Sequence, residues 1–262
     1  MAIWVDPPAW PAHGRLWSHV ISDESIAQLH EFAERVGLPA RGFEGDHYDV
    51  PEEWYSDLVA AGAHPTSSKD LLARLQGAGL RLRKRRGDRG IAVVPQVLFA
   101  DQGVADVDLI AALRPAPDHR VFCASIFVRD RAGHFAVVFS RRRQEWGPPG
   151  GWREPHESPV TTAVRETREE IGVEVDPGQV RAVGYERFRN RRGGHLWHPT
   201  GDLMQVFAAD LDAHRPPLLD ADPGVTSVEW VAPDVFAQRC STLFWWPLAT
   251  HVYAEVWPAA RR

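Results

Sequence analysis

The sequence predicts an α/β protein built from two units. Helical periodicity with capping residues dominates residues 1–85, strand-forming runs dominate residues 118–262, and a basic cluster opens the bridging segment between them, 86–117. At 262 residues the chain is long enough for one large core or two modest ones. Its 44% hydrophobic and 25% charged residues exclude a disordered or fibrous protein. The 30 basic and 35 acidic side chains leave a net charge of -5, which offers no global attraction to nucleic acid or an anionic membrane. Cys123 and Cys240 stand alone, with no paired metal spacing, and fit a reducing compartment. Asp6, Pro7 and Pro8 interrupt the start before an apolar run develops, and no segment reaches the roughly 18 apolar residues of a membrane span. A cytoplasmic location is therefore expected.

Ile3 to Val5 reads as a short buried strand ending at Asp6, followed by a loop through Pro7, Pro11 and Gly14. Ser22 is the expected N-cap of a helix with Ile26, Leu29, Phe32, Ala33 and Val36 inward and Gly37 as its stop. A second helix is expected from Pro51, with Trp54, Leu58 and Val59 on one side. A third would be capped by Ser68, with Leu71, Leu72 and Leu75 inward and Gly77 near its end. Arg81 to Gly90 has little to bury and marks a boundary. Beyond it Pro95 interrupts an apolar stretch, and Val107 to Leu113 suits either a strand or a short helix.

The second unit is clearer. Val121 to Val128 and Phe135 to Phe139, joined by turn residues Asp130 to Gly133, predict a hairpin. Val180 to Phe188, Leu203 to Ala209 and Val225 to Val231 read as further strands, and Leu243 to Val256 as a closing helix.

Chemistry concentrates between Gly150 and Val173. Ser158 and Pro159 supply an N-cap and first helical position, and Val160, Ala163, Val164, Thr167 and Ile171 form the inward stripe before Gly172. Glu166, Glu169 and Glu170 gather on a different face, where like charges at helical spacing repel. Hard divalent cations such as Mg²⁺ and Mn²⁺ resolve that conflict, because they take oxygen ligands and bridge to phosphates. Arg165 stands one turn before Glu169 and can fix its direction. Gly147 to Gly151 can bring backbone amides close to a phosphate.

Three glutamates alone would describe a solvated acidic helix. The complete spacing says more: Gly151, Glu157, Arg165-Glu166, Glu169-Glu170 and Gly172-Val173 resemble the full Nudix box. The resemblance extends over roughly residues 120–258 and implies an α/β/α sandwich around a mixed sheet. It departs at Thr167, where the family usually has a large aliphatic residue. It implies a Mg²⁺-dependent hydrolase, with Mn²⁺ as the other usable ion, cleaving a phosphoanhydride in a nucleotide-like small molecule. Glu166, Glu169, Glu170 and the Gly151 carbonyl are the implied metal ligands. Glu170 or Glu229 is the implied general base, and Glu157 is assigned to a water-mediated metal contact or to holding the loop. A sensing or protein-binding module without turnover is the competing reading, and a homodimer is left open.

The loop from Arg189 to Gly201 offers Arg189, Arg191, His195 and Trp197 to phosphate, sugar or base. A solvated hairpin loop with Trp197 folded back on the sheet suits the same residues. His156 reads as a surface residue, and Trp245, Trp246 and Trp257 as packing for the final helix.

In the first unit, Val5-Asp6, Gly14 to His19, Leu29 to Ala33, Asp46 to Asp49, and Gly62 to Ser68 resemble a small bacterial domain of unknown function. Asp6, His19, His47 and Asp49 could meet there in a metal-binding or proton-exchanging site, or in a structural hydrogen-bond network. The basic run Arg81 to Arg89 is expected to form a connector or an inter-domain ion-pair surface, with nucleic acid the less favoured partner.

Overall fold

A computed structural model describes residues 2–99, 103–189, 198–219 and 224–257, and divides the chain into two compact units, 1–93 and 94–262. The first unit runs through strands β1 (Ile3–Val5), β2 (Trp10–Ala12) and β3 (Arg15–Ser22) to helix α1 (Ile26–Val36). Strand β4 (Tyr48–Pro51), helix α2 (Tyr55–Ala60), strand β5 (His64–Pro65) and helix α3 (Ser68–Gly77) follow. The sheet order is β2-β3-β1-β5, with β4 also on β3 and β5 parallel to β1. Adjacent strand residues face opposite ways, so Val20 packs with Leu29 and Phe32 of α1 and Leu58 of α2, while Ile21 packs with Leu71 and Leu75 of α3. Helices thus cover both faces.

Several boundaries differ from expectation, each for a local reason. Helix α1 is capped by Ser25, which accepts from Gln28 N–H at 3.1 Å. Ser22 Oγ instead accepts from Glu24 and Ser25 N–H in the turn before it. Pro51 ends β4, and α2 starts only at Tyr55. Ser67 caps α3, which releases Ser68 to donate to Asp6 at 2.6 Å. Leu72 is exposed rather than inward. Within the basic run, Arg81 pairs with Asp46 at 3.0 Å, Arg85 with Asp88 at 2.7 Å, and Lys84 with Glu44, all inside this unit.

The segment 86–117 carries strands β6 (Arg89–Phe99) and β7 (Gly103–Ala111), so Val107 is in a strand. Pro95 is accommodated by a kink: Gln96 takes a φ of 56° and donates its N–H to Asp106 at 3.0 Å. Beyond these come β8 (Val121–Arg129), β9 (Phe135–Ser140), β10 (Glu145–Gly147), β11 (Gly150–Trp152) and helix α4 (Pro159–Ile171). Strands β12 (Arg181–Arg189), β13 (Leu203–Asp210) and β14 (Val225–Val231) precede helices α5 (Pro233–Cys240) and α6 (Trp246–Val256). Helix α5 went unread in the sequence, and α6 starts three residues later than expected, with Pro247 in its first turn.

The sheet order is β10-β9-β8-β13-β12-β7-β6, with β11 on β8 and β14 on β9. It is mixed, because β13 runs parallel to β8 while β12 is antiparallel to both β13 and β7. Ile126 and Val128 face a core shared with Ala163 and Ile171 of α4. Phe127, between them, points the other way toward Phe236 of α5 and Trp245. This is the α/β/α sandwich. No helix among the described residues is long and apolar enough to cross a membrane.

Candidate active site

The position of α4 is fixed at both ends. Ser158 Oγ accepts from Thr161 N–H at 3.1 Å, Pro159 fills the first turn, and Gly172 closes it in a left-handed conformation with φ 71°. Thr167 is fully buried, with its hydroxyl donated to the Ala163 carbonyl at 2.7 Å, so the departure from an aliphatic residue leaves no polar atom unsatisfied. The three glutamates do not share one environment: Glu166 is buried, Glu170 half-buried and Glu169 exposed.

Strand β11 lies against this helix. Gly150 N–H donates to Glu170 Oε2 at 2.8 Å. A Cβ at Gly150 would overlap the backbone of Ala124 and Ser125 in β8, so that position requires glycine, and one at Gly151 would displace the Glu166 carboxylate. Arg165 ties loop and helix together. Its guanidinium donates to Glu157 and Glu169 at 2.8 Å, and to Glu166 and the Trp152 carbonyl at 2.9 Å. The hydrogen bond from Arg165 holds the Glu157 carboxyl down at about 2 despite partial desolvation. Glu157 therefore acts as a loop anchor here.

A cavity of about 620 Å³ opens beside these groups, with Gly150, Gly151, Arg165, Glu166 and Glu170 in its lining and Arg142 and Arg143 among its cationic residues. Phe122 and Trp152 contribute aromatic surface, their ring centroids 5.5 Å apart. Glu186 of β12 also lines it, 2% exposed, with Oε2 accepting no hydrogen bond from the described residues. Burial pushes the Glu186 carboxyl up to about 8 against the attraction of Arg143. Cys123 lines the cavity as well, and burial raises its thiol to about 12, far from the thiolate a nucleophile needs.

The residues singled out from sequence divide accordingly. Gly151, Arg165, Glu166 and Glu170 meet at the cavity. Glu169 is absent from its lining and is held by Arg165 instead. Glu229 is not in the lining either; it is paired with Arg239 at 2.8 Å. Arg189 joins Arg187 in clamping the buried Asp108, so it is committed to an ion pair outside the cavity lining. Arg191, His195 and Trp197 lie outside the described residues. Trp245, read as packing only, lines the cavity too. Glu186 was missed. Its signal was an acidic residue two positions before Phe188, hence on the same strand face, within an apolar run.

Asp6, His19, His47 and Asp49 come together in the first unit. His19 Nδ1 lies 3.0 Å from Asp6, and His47 Nε2 lies 3.1 Å from Asp49. Burial opposes charge on His47, but hydrogen bonds with Asp46 and Asp49 outweigh it and push the imidazole up to about 9.

The oxygen donors of Glu166, Glu170 and Gly151 suit a hard divalent cation, and Glu186 adds a further carboxylate in the same lining. Family comparison agrees with the sandwich and the box. A model described as the NUDIX domain matches residues 119–248, and one described as a protein of unknown function (DUF4031) matches residues 3–78. Each unit thus carries its own family match, the C-terminal one to the NUDIX domain and the N-terminal one to DUF4031.

A protein of Mycobacterium tuberculosis with the provisional name 8-oxo-dGTP diphosphatase 3 is 47% identical over 47 residues, covering 18% of this chain and 22% of that one. The chain thus spans about a fifth of the length of this curated relative. Similar solved structures include a Bacillus subtilis pyrophosphohydrolase, at 14% identity over 61% of this chain and 96% of that one, with a TM-score of 0.42. Another is the NUDIX domain of Shewanella oneidensis NrtR complexed with ADP ribose, at 14% identity over 51% and 88%, with a TM-score of 0.39.

Proposed function

We propose that the C-terminal unit hydrolyses a phosphoanhydride bond in a nucleoside diphosphate linked to another moiety, or in a related nucleotide, using Mg²⁺ or Mn²⁺. The observation that carries this reading is the convergence of Glu166, Glu170 and the Gly150-Gly151 backbone on one cavity. Glu166, Glu170 and the Gly151 carbonyl would hold the cations. When bound, these would neutralise the diphosphate and acidify a water molecule.

The chain's own groups do the rest. Arg165 keeps the glutamates and the loop in register by holding Glu157, Glu166 and Glu169. Arg142 and Arg143 supply positive charge to the phosphate end of the cavity's ligand, and Trp152 with Phe122 offers a face for a base or sugar. Glu170 takes the proton of the attacking water.

The test is product release across nucleoside triphosphates, dinucleoside polyphosphates and nucleotide sugars with Mg²⁺ or Mn²⁺, beside Glu170→Gln. The name of the mycobacterial relative puts 8-oxo-dGTP on that panel. Metal-dependent turnover lost in folded Glu170→Gln supports the reading. Nucleotide binding with no turnover of any compound would overturn it in favour of a sensing module.

A further inference from the structure

We propose that the N-terminal unit is itself a metal-binding module, holding a divalent transition-metal ion on His19 Nε2, His47 Nε2 and an oxygen of Asp49. One ligand atom from each of these side chains lies within 4.8 Å of the others. Asp49 Oδ1 stands 3.1 Å from His47 Nε2 and 3.7 Å from His19 Nε2. Tetrahedral coordination at about 2.0–2.1 Å would set neighbouring ligand atoms roughly 3.3 Å apart, so small side-chain rotations close the set around one ion.

The groups behind the ligands distinguish this cluster from an ordinary polar patch. Each histidine turns Nδ1 toward its own carboxylate, His19 to Asp6 at 3.0 Å and His47 to Asp46 at 2.5 Å. Both acids are deeply buried, at 0% and 1% exposure, and both are anchored. Asp6 also accepts from Ser68 Oγ at 2.6 Å and from the His19 backbone N–H at 2.5 Å. Asp46 accepts from Leu82 N–H at 2.6 Å and from Arg81 at 3.0 Å. A carboxylate on Nδ1–H fixes the ring and raises its basicity, and a metal ion binding at Nε2 displaces the proton that His47 shares with Asp49.

Two imidazoles with one carboxylate favour Zn²⁺ or Fe²⁺ over Mg²⁺. Asp49 and His19 keep 42% and 25% of their side-chain surface exposed, which leaves room for a water or an exogenous ligand on the ion. The other His/Asp group among the described residues, Asp130, His134 and His214, lacks this construction. Both of its histidines direct Nδ1 to the single Asp130 carboxylate, at 3.1 Å each. His134 Nε2 meets the Arg215 guanidinium at 2.6 Å, and Asp130 closes a turn by accepting from Ala132 and His134 N–H.

The experiment uses full-length protein, chelator-stripped and carrying Glu166→Gln and Glu170→Gln to remove the C-terminal carboxylates. It is titrated with Zn²⁺ and, anaerobically, with Fe²⁺, against excess Mg²⁺, and the loaded protein is examined by X-ray absorption at the metal edge. Expected are one tightly held ion per chain, scattering from two imidazoles, at least 100-fold weaker binding in His19→Gln and His47→Gln, and about 10- to 100-fold weaker binding in Asp6→Asn. Uptake that survives both histidine variants, a metal shell without imidazole, or no stoichiometric uptake of either ion overturns the proposal. Should the histidine variants fail to fold by circular dichroism, the scattering of the parent protein decides alone.

Discussion

Arg165 grips Glu157 with two nitrogens, Nε to Oε1 at 2.8 Å and Nη2 to Oε2 at 3.2 Å. The guanidinium is planar and forked, so it fixes the carboxylate's plane as well as its position, and through it the loop between β11 and α4. Arg165→Lys keeps the charge and loses the fork. Turnover of the best substrate should fall about 100-fold, as expected for catalytic groups displaced by about 1 Å, while the melting temperature changes little. Unchanged kcat in this variant would remove Arg165 from the positioning role.

Glu170→Gln should cost roughly 10²- to 10⁴-fold in kcat if Glu170 carries the proton transfer. The amide oxygen can still accept from Gly150 N–H, which Glu170 accepts at 2.8 Å, so the variant should fold normally. Steady-state kinetics beside a thermal melt checks both halves of this expectation.

Gly151→Ala should disturb the site more than its size suggests, because the added methyl overlaps the Glu166 carboxylate. Overpacking of this kind costs about 1–3 kcal/mol, and Glu166 must move to relieve it. Titration of Mn²⁺ followed by electron paramagnetic resonance should show weakened binding; wild-type affinity would contradict the cramped geometry.

Glu186 makes stability depend on pH in a particular direction. Its unfolded pKa is that of an ordinary carboxyl, about 4.3, and burial raises it in the folded protein to about 8. The folded state therefore binds the proton more tightly, and the stability this confers is complete below the unfolded value and lost as pH rises toward the folded one. Glu186→Gln removes that dependence. In metal-free buffer its advantage over wild type should grow between pH 5 and 8, reaching on the order of 3 kcal/mol. Parallel melting curves across this range would sink the assignment.

What was legible in the sequence follows from how each feature is specified. Helix α4 could be read because cap, period and stop coincide at Ser158, Ala163 to Ile171 and Gly172, and because residues on one helix hold fixed relative positions. The mixed sandwich followed from the box that this helix carries. Strands β3 and β4 were missed: β3 sends Val20 and Ile21 into opposite cores and so shows no simple alternation. Glu186 and Glu229 illustrate the limit at the site. Both are strand glutamates, yet only the tertiary arrangement decides that one lines a cavity and the other finds Arg239. The histidine cluster of the first unit was visible as residue types; the burial of Asp46 beside His47 and the anchoring of Asp6 by Ser68 were not, because tertiary packing and helix docking decide them.

The parallel pairing of β8 with β13 also governs how the second unit can assemble. Arg120 and Asp202, hydrogen-bonded at the entry to these strands, are 82 positions apart in the chain. Closing so long a loop loses chain entropy before any contact repays it, so the local hairpins and α4 must form first and the centre of the sheet zips late. A nascent chain therefore carries β8, with its run from Val121 to Val128, unpaired along one edge until Asp210 has left the ribosome. During synthesis that apolar strand, like β9 awaiting β14, offers an unpaired edge on which other chains can associate.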